Sequence, residues 1–361
     1  MPGARGVGMQ ASEIVGEGVA PRVIARIDAP DARTAASDAQ RQVADGVAGL
    51  ALVFAHAPNA FGRGLPPGLP TLRTVLDGLP LERLHLRVDV HPEARAGAEH
   101  LLAYLASRRI PSENLDLAMG MDPAAMLAGA GRLRMSIEAL EASMPQSLSH
   151  FFALNMPGVL LEADGRVFHN AGASAAEELG CTLASASSFL RMFELARQPL
   201  QYAAPHIGFA LGVDHTPESA AKLRALRLLW NRLLGTHGIG PLPLHLHAET
   251  SWRMLRGDRT SDAARIERAV DHAAAGGADT LSIFGRDGAP APALDTGVPD
   301  PAPLVDEAWT EFERIHAEGG ILRSLSAGHI QTRIRGTRQP APRPEPLNGA
   351  ATAEPLVPSR G

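Results

Sequence analysis

The imidazole of His169 stands between an apolar run and a long helical pattern, in the stretch Phe168-His169-Asn170-Ala171-Gly172. Before it come Gly158 to Leu161, then Asp164-Gly165, then Arg166-Val167-Phe168, which read as a buried strand or a strand pair split by a turn. From Ala173 onward, small and apolar residues recur at helical spacing. A titratable ring on a tight turn between strand and helix lies where α/β folds build their sites, at the carboxyl end of a strand. His169 is therefore either a site residue or a hydrogen-bonded turn histidine. Other expected strand ends supply Asp89 and His91, Asp122, Asp214 and His215, and His247 with Glu249. Histidines and carboxylates meeting at one mouth would suit proton transfer or a metal. His245 and His247 are two residues apart and share one strand face, but spacing supplies no third ligand and no HExxH occurs. No metal site is assigned. With 14 histidines in 361 residues, several fall near strand ends by chance.

Other chemistries lack their residues. Cys181 is the only cysteine, which excludes an internal disulfide and a cysteine-based zinc cluster, and it falls within the helical run. There is no GxSxG elbow, no GxGxxG after a strand and no GxxxxGK[ST]. The net charge is -5, with acids and bases mixed and aromatics only 4%, so no nucleic-acid footprint is present. No apolar run approaches the roughly 18 residues of a membrane helix. The first residues lack a signal-peptide core. A soluble cytoplasmic protein is the expectation.

The elements that must position these residues alternate. Strands are expected at Val23–Ile27, Gly49–Phe54, Leu84–Val90, Leu115–Ala118, near Gly158–Leu161, at His206–Leu211, Leu242–His247 and Thr280–Phe284. Helices are expected from Asp31 to Asp45, Leu69 to Leu79, Glu93 to Ser107, in pieces between Pro123 and Phe152, from Ala173, from Glu218 to Leu234, Ala263 to Ala275 and Leu304 to Glu318. So many strand–helix units in one run favour closure into a (β/α)8 TIM-type barrel over a doubly wound sheet. The barrel is expected to span residues 21–334, with disordered extensions at 1–20 and 335–361, the latter rich in Pro and Arg.

Four motifs in order carry a family resemblance: His169-Asn170-Ala171-Gly172-Ala173-Ser174, Ala204 to Gly212 (APHIGFALG), Lys222 to Trp230 (KLRALRLLW) and Leu246 to Trp252 (LHAETSW). Together they resemble the substrate barrel of the methylmalonyl-CoA mutase family, whose corresponding segments read YHMQEAGA, APRLSFF, KLRAxRxLW and HCQTSGW. The opening from Arg26 looks more like the family's small, or beta, subunit than its large catalytic one. The resemblance implies an adenosylcobalamin-dependent carbon-skeleton rearrangement of an acyl-CoA in the complex, with His169 in the place of the catalytic histidine.

Departures from the family pattern matter as much. The His169 turn is two residues shorter. His206 replaces the arginine that contacts the CoA moiety, and a mostly neutral imidazole is no substitute for a bidentate guanidinium on phosphate. His247 and Glu249 would remain to contact a ligand. The glutamine expected near Leu117–Asp122, the arginine for the substrate carboxylate and the RQYAGFS segment have no counterpart. Asp271-His272 lies inside an expected helix and cannot act as the family's cobalt-ligand motif. The resemblance therefore implies adenosylcobalamin for the complex but not on a domain of this chain. It leaves enzymatic activity open among three roles. These are a structural, catalytically impaired partner of a mutase large (alpha) subunit, an active acyl-CoA mutase barrel using a separate cobalamin-binding chain, or a repurposed barrel binding a CoA ester or other small molecule.

Overall fold

The computed structural model describes residues 19–89, 94–111, 114–153, 156–284 and 297–337. In chain order it runs β1 (Arg22–Ile27), α1 (Ala32–Ala44), β2 (Gly49–Val53), α2 (Leu69–Leu76), β3 (His85–Asp89), α3 (Ala94–Arg108), β4 (Asp116–Gly120), α4 (Pro123–Ala130), α5 (Ile137–Ala153) and β5 (Leu161–Asp164). It continues with α6 (Arg166–Ala171), α7 (Ala175–Leu195), α8 (Leu200–Ala203), β6 (Ile207–Val213), α9 (Glu218–Thr236), β7 (His245–Thr250), α10 (Arg259–Ala275), β8 (Thr280–Ser282), α11 (Ala302–Ala317), α12 (Ile321–Ser326) and α13 (His329–Thr337).

All eight strands are parallel, in the order β4-β3-β2-β1-β8-β7-β6-β5. The remaining seam closes through a bridge between Ala118 and Val159, with Met119 N–H donating to Val159 O and Val159 N–H to Leu117 O, both at 2.9 Å. The expected (β/α)8 barrel is therefore the observed one. Helix starts follow local chemistry: the Asp31, Asp122 and Asp258 carboxylates each accept an N–H of the following turn, and Ser174 with Glu177 forms a capping box on α7. Among the described residues no helix is long and apolar enough to cross a membrane.

Three readings change. Arg166-Val167-Phe168 is not strand. The Asp164 carboxylate accepts from Arg166 N–H at 3.1 Å, and the N–H groups of Phe168 and His169 both donate to Gly165 O at 3.0 Å, so helix begins at once. His169 thus sits on α6 rather than on the turn, which follows at Gly172 with φ +104°. Second, two further helices, α12 and α13, follow the expected last one, and α13 carries on to Thr337, past the expected boundary at 334. Each is too short to be stable alone. They form because Ile321, Leu322, Leu325, Ile330 and Ile334 are buried and Arg333 Nη1 pairs with Glu318 at 2.7 Å. Third, of the expected extensions only residues 19, 20 and 335–337 are described, and His91 also lies outside the described residues.

The long helix α7 packs between the barrel and the outer helices α9 and α11. Its contact with α11 is close enough to demand glycine: a Cβ at Gly180 would lie 2.7 Å from the Glu311 side chain and 3.1 Å from Ala308 O. Gly180→Val is expected to lower stability by about 1–3 kcal/mol through overpacking. A urea transition measures this, and an unchanged midpoint would refute the tight crossing.

Side-chain size alternates around the barrel lumen. The rows set by strand register place Ala51 between Arg26 and Arg87, and Ala118 on the other side of Arg87. Ala210 lies between Asp164 and His247, and Gly212 and Ser282 flank Glu249. Odd strands bring large polar groups and even strands make room for them, the layered filling that barrels require.

Candidate functional site

The centre of the mouth is an arginine–carboxylate lattice. The side chains of Arg87 and Glu162 are both 0% exposed. Arg87 Nη1 and Nη2 donate to the two Glu162 oxygens, and Nη2 also reaches Asp89 at 2.7 Å. Arg166 donates to both Asp89 oxygens at 2.9 and 3.1 Å, to both Asp164 oxygens at 2.9 Å, and to Glu249 at 3.3 Å. Arg26 donates to Glu249 at 3.0 Å, Asp28 at 2.9 Å and the Asn59 carbonyl at 2.5 Å. Its guanidinium also lies 5.7 Å from the Phe61 ring centroid and 5.4 Å from that of Phe284. Bidentate guanidinium–carboxylate pairs are the strongest such contacts available. Burial opposes ionisation of Asp89, but the Arg166 and Arg87 charges outweigh it and hold its carboxyl below the usual range. Those same carboxylates hold both arginines charged despite burial.

Asp122 lies at the edge of this lattice and behaves in the opposite way. Burial, reinforced by the Asp164 charge, pushes it up to about 7 against the backbone N–H groups it accepts. It lines a cleft with Pro58, Asn59, Asp89, Gly120 and Asp164 that has room for only about 10 Å³, one water molecule.

A second polar chain holds His169. Its Nε2 shares a 2.7 Å hydrogen bond with Ser251 Oγ, and its Nδ1 faces Glu178 at 3.4 Å. A carboxylate only accepts, so Nδ1 carries hydrogen toward Glu178, and in the neutral ring Nε2 accepts from the Ser251 hydroxyl. Lys222 Nζ donates to Glu178 at 2.5 Å and to Gly212 O at 2.6 Å. Burial works against the charge on Glu178, yet Lys222 and His169 keep it below the usual carboxylate range. Gly212 lets the ring in, since a Cβ there would lie 2.6 Å from it. Both nitrogens of His169 are thus committed to protein groups.

The expected site residues separate. His169 and Glu249 reach the mouth. His247 is fully buried in the lumen below, with Nδ1 sharing a 3.0 Å hydrogen bond with Thr280. Burial first, then the Arg87 and Arg166 charges, lower its basicity far below the usual histidine value. His245 does share its face, as its contact with Thr280 at 3.5 Å indicates. His206 lies at the other end of the barrel, half-buried, sharing a 2.7 Å hydrogen bond with Gly158 O. Asp214 is taken by its own loop, accepting from Thr216 and Ser219. Cys181 is buried in α7, and burial pushes its thiol far up. Among the described residues no three His, Cys, Asp or Glu are arranged to hold a metal.

The lattice itself was not anticipated. Its signal was present: His85-Leu86-Arg87-Val88-Asp89 and His245-Leu246-His247-Ala248-Glu249 alternate polar with apolar at period two, a polar inner face on a buried strand. The KLRALRLLW motif proves structural here. Besides the Lys222 clamp, Arg224 donates to Ala275 O at 2.9 and 3.1 Å and Arg227 to Gly277 O, both tying α9 to the end of α10.

Comparison with known proteins agrees with these motifs. The model of the family described as methylmalonyl-CoA mutase matches residues 68–297. A methylmalonyl-CoA mutase small subunit of Streptomyces virginiae is 29% identical over 326 residues, covering 79% of this chain and 52% of the relative. A probable methylmalonyl-CoA mutase small subunit of Mycobacterium tuberculosis (strain ATCC 25618 / H37Rv) is 38% identical over 128 residues, 34% of this chain and 20% of that protein. The large subunit of the Streptomyces virginiae mutase is 27% identical over 227 residues, covering 50% and 31%. The chain spans about half the length of the first of these relatives. It belongs to the methylmalonyl-CoA mutase family.

Proposed function

We propose that this chain is a small-subunit-like barrel of an adenosylcobalamin-dependent acyl-CoA mutase, catalytically impaired itself, that works in the cytoplasm as the structural partner of a large subunit. The observation that carries this reading is the lattice of Arg26, Arg87 and Arg166 with Asp28, Asp89, Glu162, Asp164 and Glu249, which fills the axis of the barrel. A CoA ester touching both His206 and His169 would have to run the length of β6, roughly 20 Å at about 3.3 Å per residue. Its path would cross the buried Arg87–Glu162 pair. The engagement of both His169 nitrogens supports the same reading, as do the relatives named small subunits.

Among the described residues, the Asp271-His272 pair does not fit a cobalt ligand. His272 lies within α10, buried, with Nδ1 sharing a 3.2 Å hydrogen bond with Asp214 O.

The test is a pulldown from native lysate with a mutase assay on the eluate, repeated with His169→Ala. A large subunit should co-elute and activity should be unaffected. A catalytic imidazole would instead cost on the order of 10²- to 10⁴-fold. Collapse of activity in an intact complex would make His169 catalytic. Failure of any mutase chain to appear would favour a repurposed barrel.

A further inference from the structure

The loop between β2 and α2 turns back into the mouth of the barrel. Its neck is closed by a bridge between Phe54 and Leu65, with Ala55 N–H donating to Leu65 O at 2.9 Å and Leu65 N–H to Val53 O at 2.8 Å. Gly64, at φ +121°, brings the two sides so close that a Cβ there would lie 2.5 Å from Ala55 N. Within the loop, the N–H groups of Ala57, Ala60 and Arg63 donate to Phe54 O, Ala57 O and Ala60 O at 3.0, 2.9 and 2.9 Å. A compact loop with closed ends and its own internal bonds can move as one piece. Its buried Ala57 and Ala60 pack with Val53 in a small cluster separate from the main core, so lifting them leaves that core intact.

What holds the loop down is polar. Asn59 is only 2% exposed, although it stands near the tip. Its Nδ2 donates to Asp164 at 2.8 Å, its Oδ1 accepts from Asn170 Nδ2 at 3.1 Å and its carbonyl accepts from Arg26 at 2.5 Å. Asn59 thus occupies, from within the chain, polar groups that a molecule entering the mouth would meet. Pro58 and Asn59 also form one wall of the one-water cleft beside Asp122 and Asp164. The closed position is strained as well. His56 and Phe61 adopt φ of +64° and +52°, a region that side chains disfavour. Phe61 stays 37% exposed while standing edge-on to Trp252 and Phe284, with ring centroids 5.7 and 5.3 Å away. Among the described residues Trp252 Nε1 is buried with no hydrogen-bond partner, a donor that entering water would satisfy.

We propose that the β2–α2 loop is a plug, latched by Asn59 over the carboxylates at the barrel mouth, that opens as a unit while the barrel stays folded. Opening removes one partner each from Asp164, Asn170 and Arg26 and uncovers the cleft beside Asp122. The lattice below stays closed, and the plug is independent of which subunit role the chain fills.

Native-state hydrogen exchange on the full chain tests it. In the parent, the amides of Ala57, Ala60 and Arg63 should exchange together and faster than the strand amides of β2 and β3. Asn59→Ala should speed the loop amides at least about tenfold, the loss of one hydrogen bond to a charged group or more, and leave β3 unchanged. Asn170→Ala, on a half-buried position of α6, removes only one neutral bond and should speed the same amides by a smaller factor, about threefold. Loop amides that exchange in step with β3 in the parent overturn the proposal. So does an Asn59→Ala variant that speeds all amides equally or does not fold, since the loop would then be a fixed part of the core.

Discussion

Glu162→Ala will destabilise the protein by about 3–5 kcal/mol, the cost of removing one partner from a buried ion pair. Glu162 accepts from both terminal nitrogens of Arg87, and neither side chain is exposed, so no water can take over its role. The guanidinium would be left with Asp89 alone, which Arg166 already engages. The double change Arg87→Met with Glu162→Leu should recover most of the loss, because apolar groups of similar volume satisfy a dry interior as well as a paired charge does. Urea denaturation followed by circular dichroism measures both. A single-variant cost below about 1 kcal/mol would place the pair among surface-type ion pairs and remove the main argument for a sealed lumen.

A second large effect concerns acid. Burial pushes His245 down to about 3 from an ordinary 6.5, with the His85 and Arg87 charges acting in the same direction and Asp116 opposing. Between those values the unfolded chain binds a proton that the folded chain refuses. This contribution to stability is complete above about pH 6.5 and is lost as pH falls toward 3. Asp122 acts with opposite sign: raised from 3.8 to about 7, it keeps a proton when folded that the unfolded chain releases, so stability falls as pH rises through that window. The two slopes offset each other in the unmodified protein. His245→Phe, which preserves the ring contact with His85, isolates the first. Relative to the parent, the variant should gain about 3 kcal/mol on going from pH 6.5 to pH 4, at about 1.4 kcal/mol per unit of the window. Parallel stability curves for the two proteins would show that His245 titrates normally in the fold.

Some of this was legible without a structure. Continuous apolar runs such as Gly49–Val53 announce strands buried on both faces, and Asp31 and Asp122-Pro123 announce helix starts, because both signals act over a few residues, whereas α10 begins at Arg259, before the expected Ala263. Alternation of such units is enough to specify a parallel barrel, and four ordered motifs were enough to specify the family. Even the placement of Cys181 in a helix interior followed from local pattern.

The site was different. Arg166 reads as part of a strand until Asp164 is seen to accept its N–H and start a helix at Gly165. His169 reads as an available imidazole until Glu178 and Ser251, from other elements, occupy both nitrogens. Arg87 meets Glu162 across 75 residues of chain, and Arg26 meets Glu249 across 223. The amino-acid order alone determined which strands carry charge on their inner faces. Only closure of the barrel decided which charges meet, because a charge buried on one strand is tolerable only with a partner on another, and strand register sets which partner comes within reach.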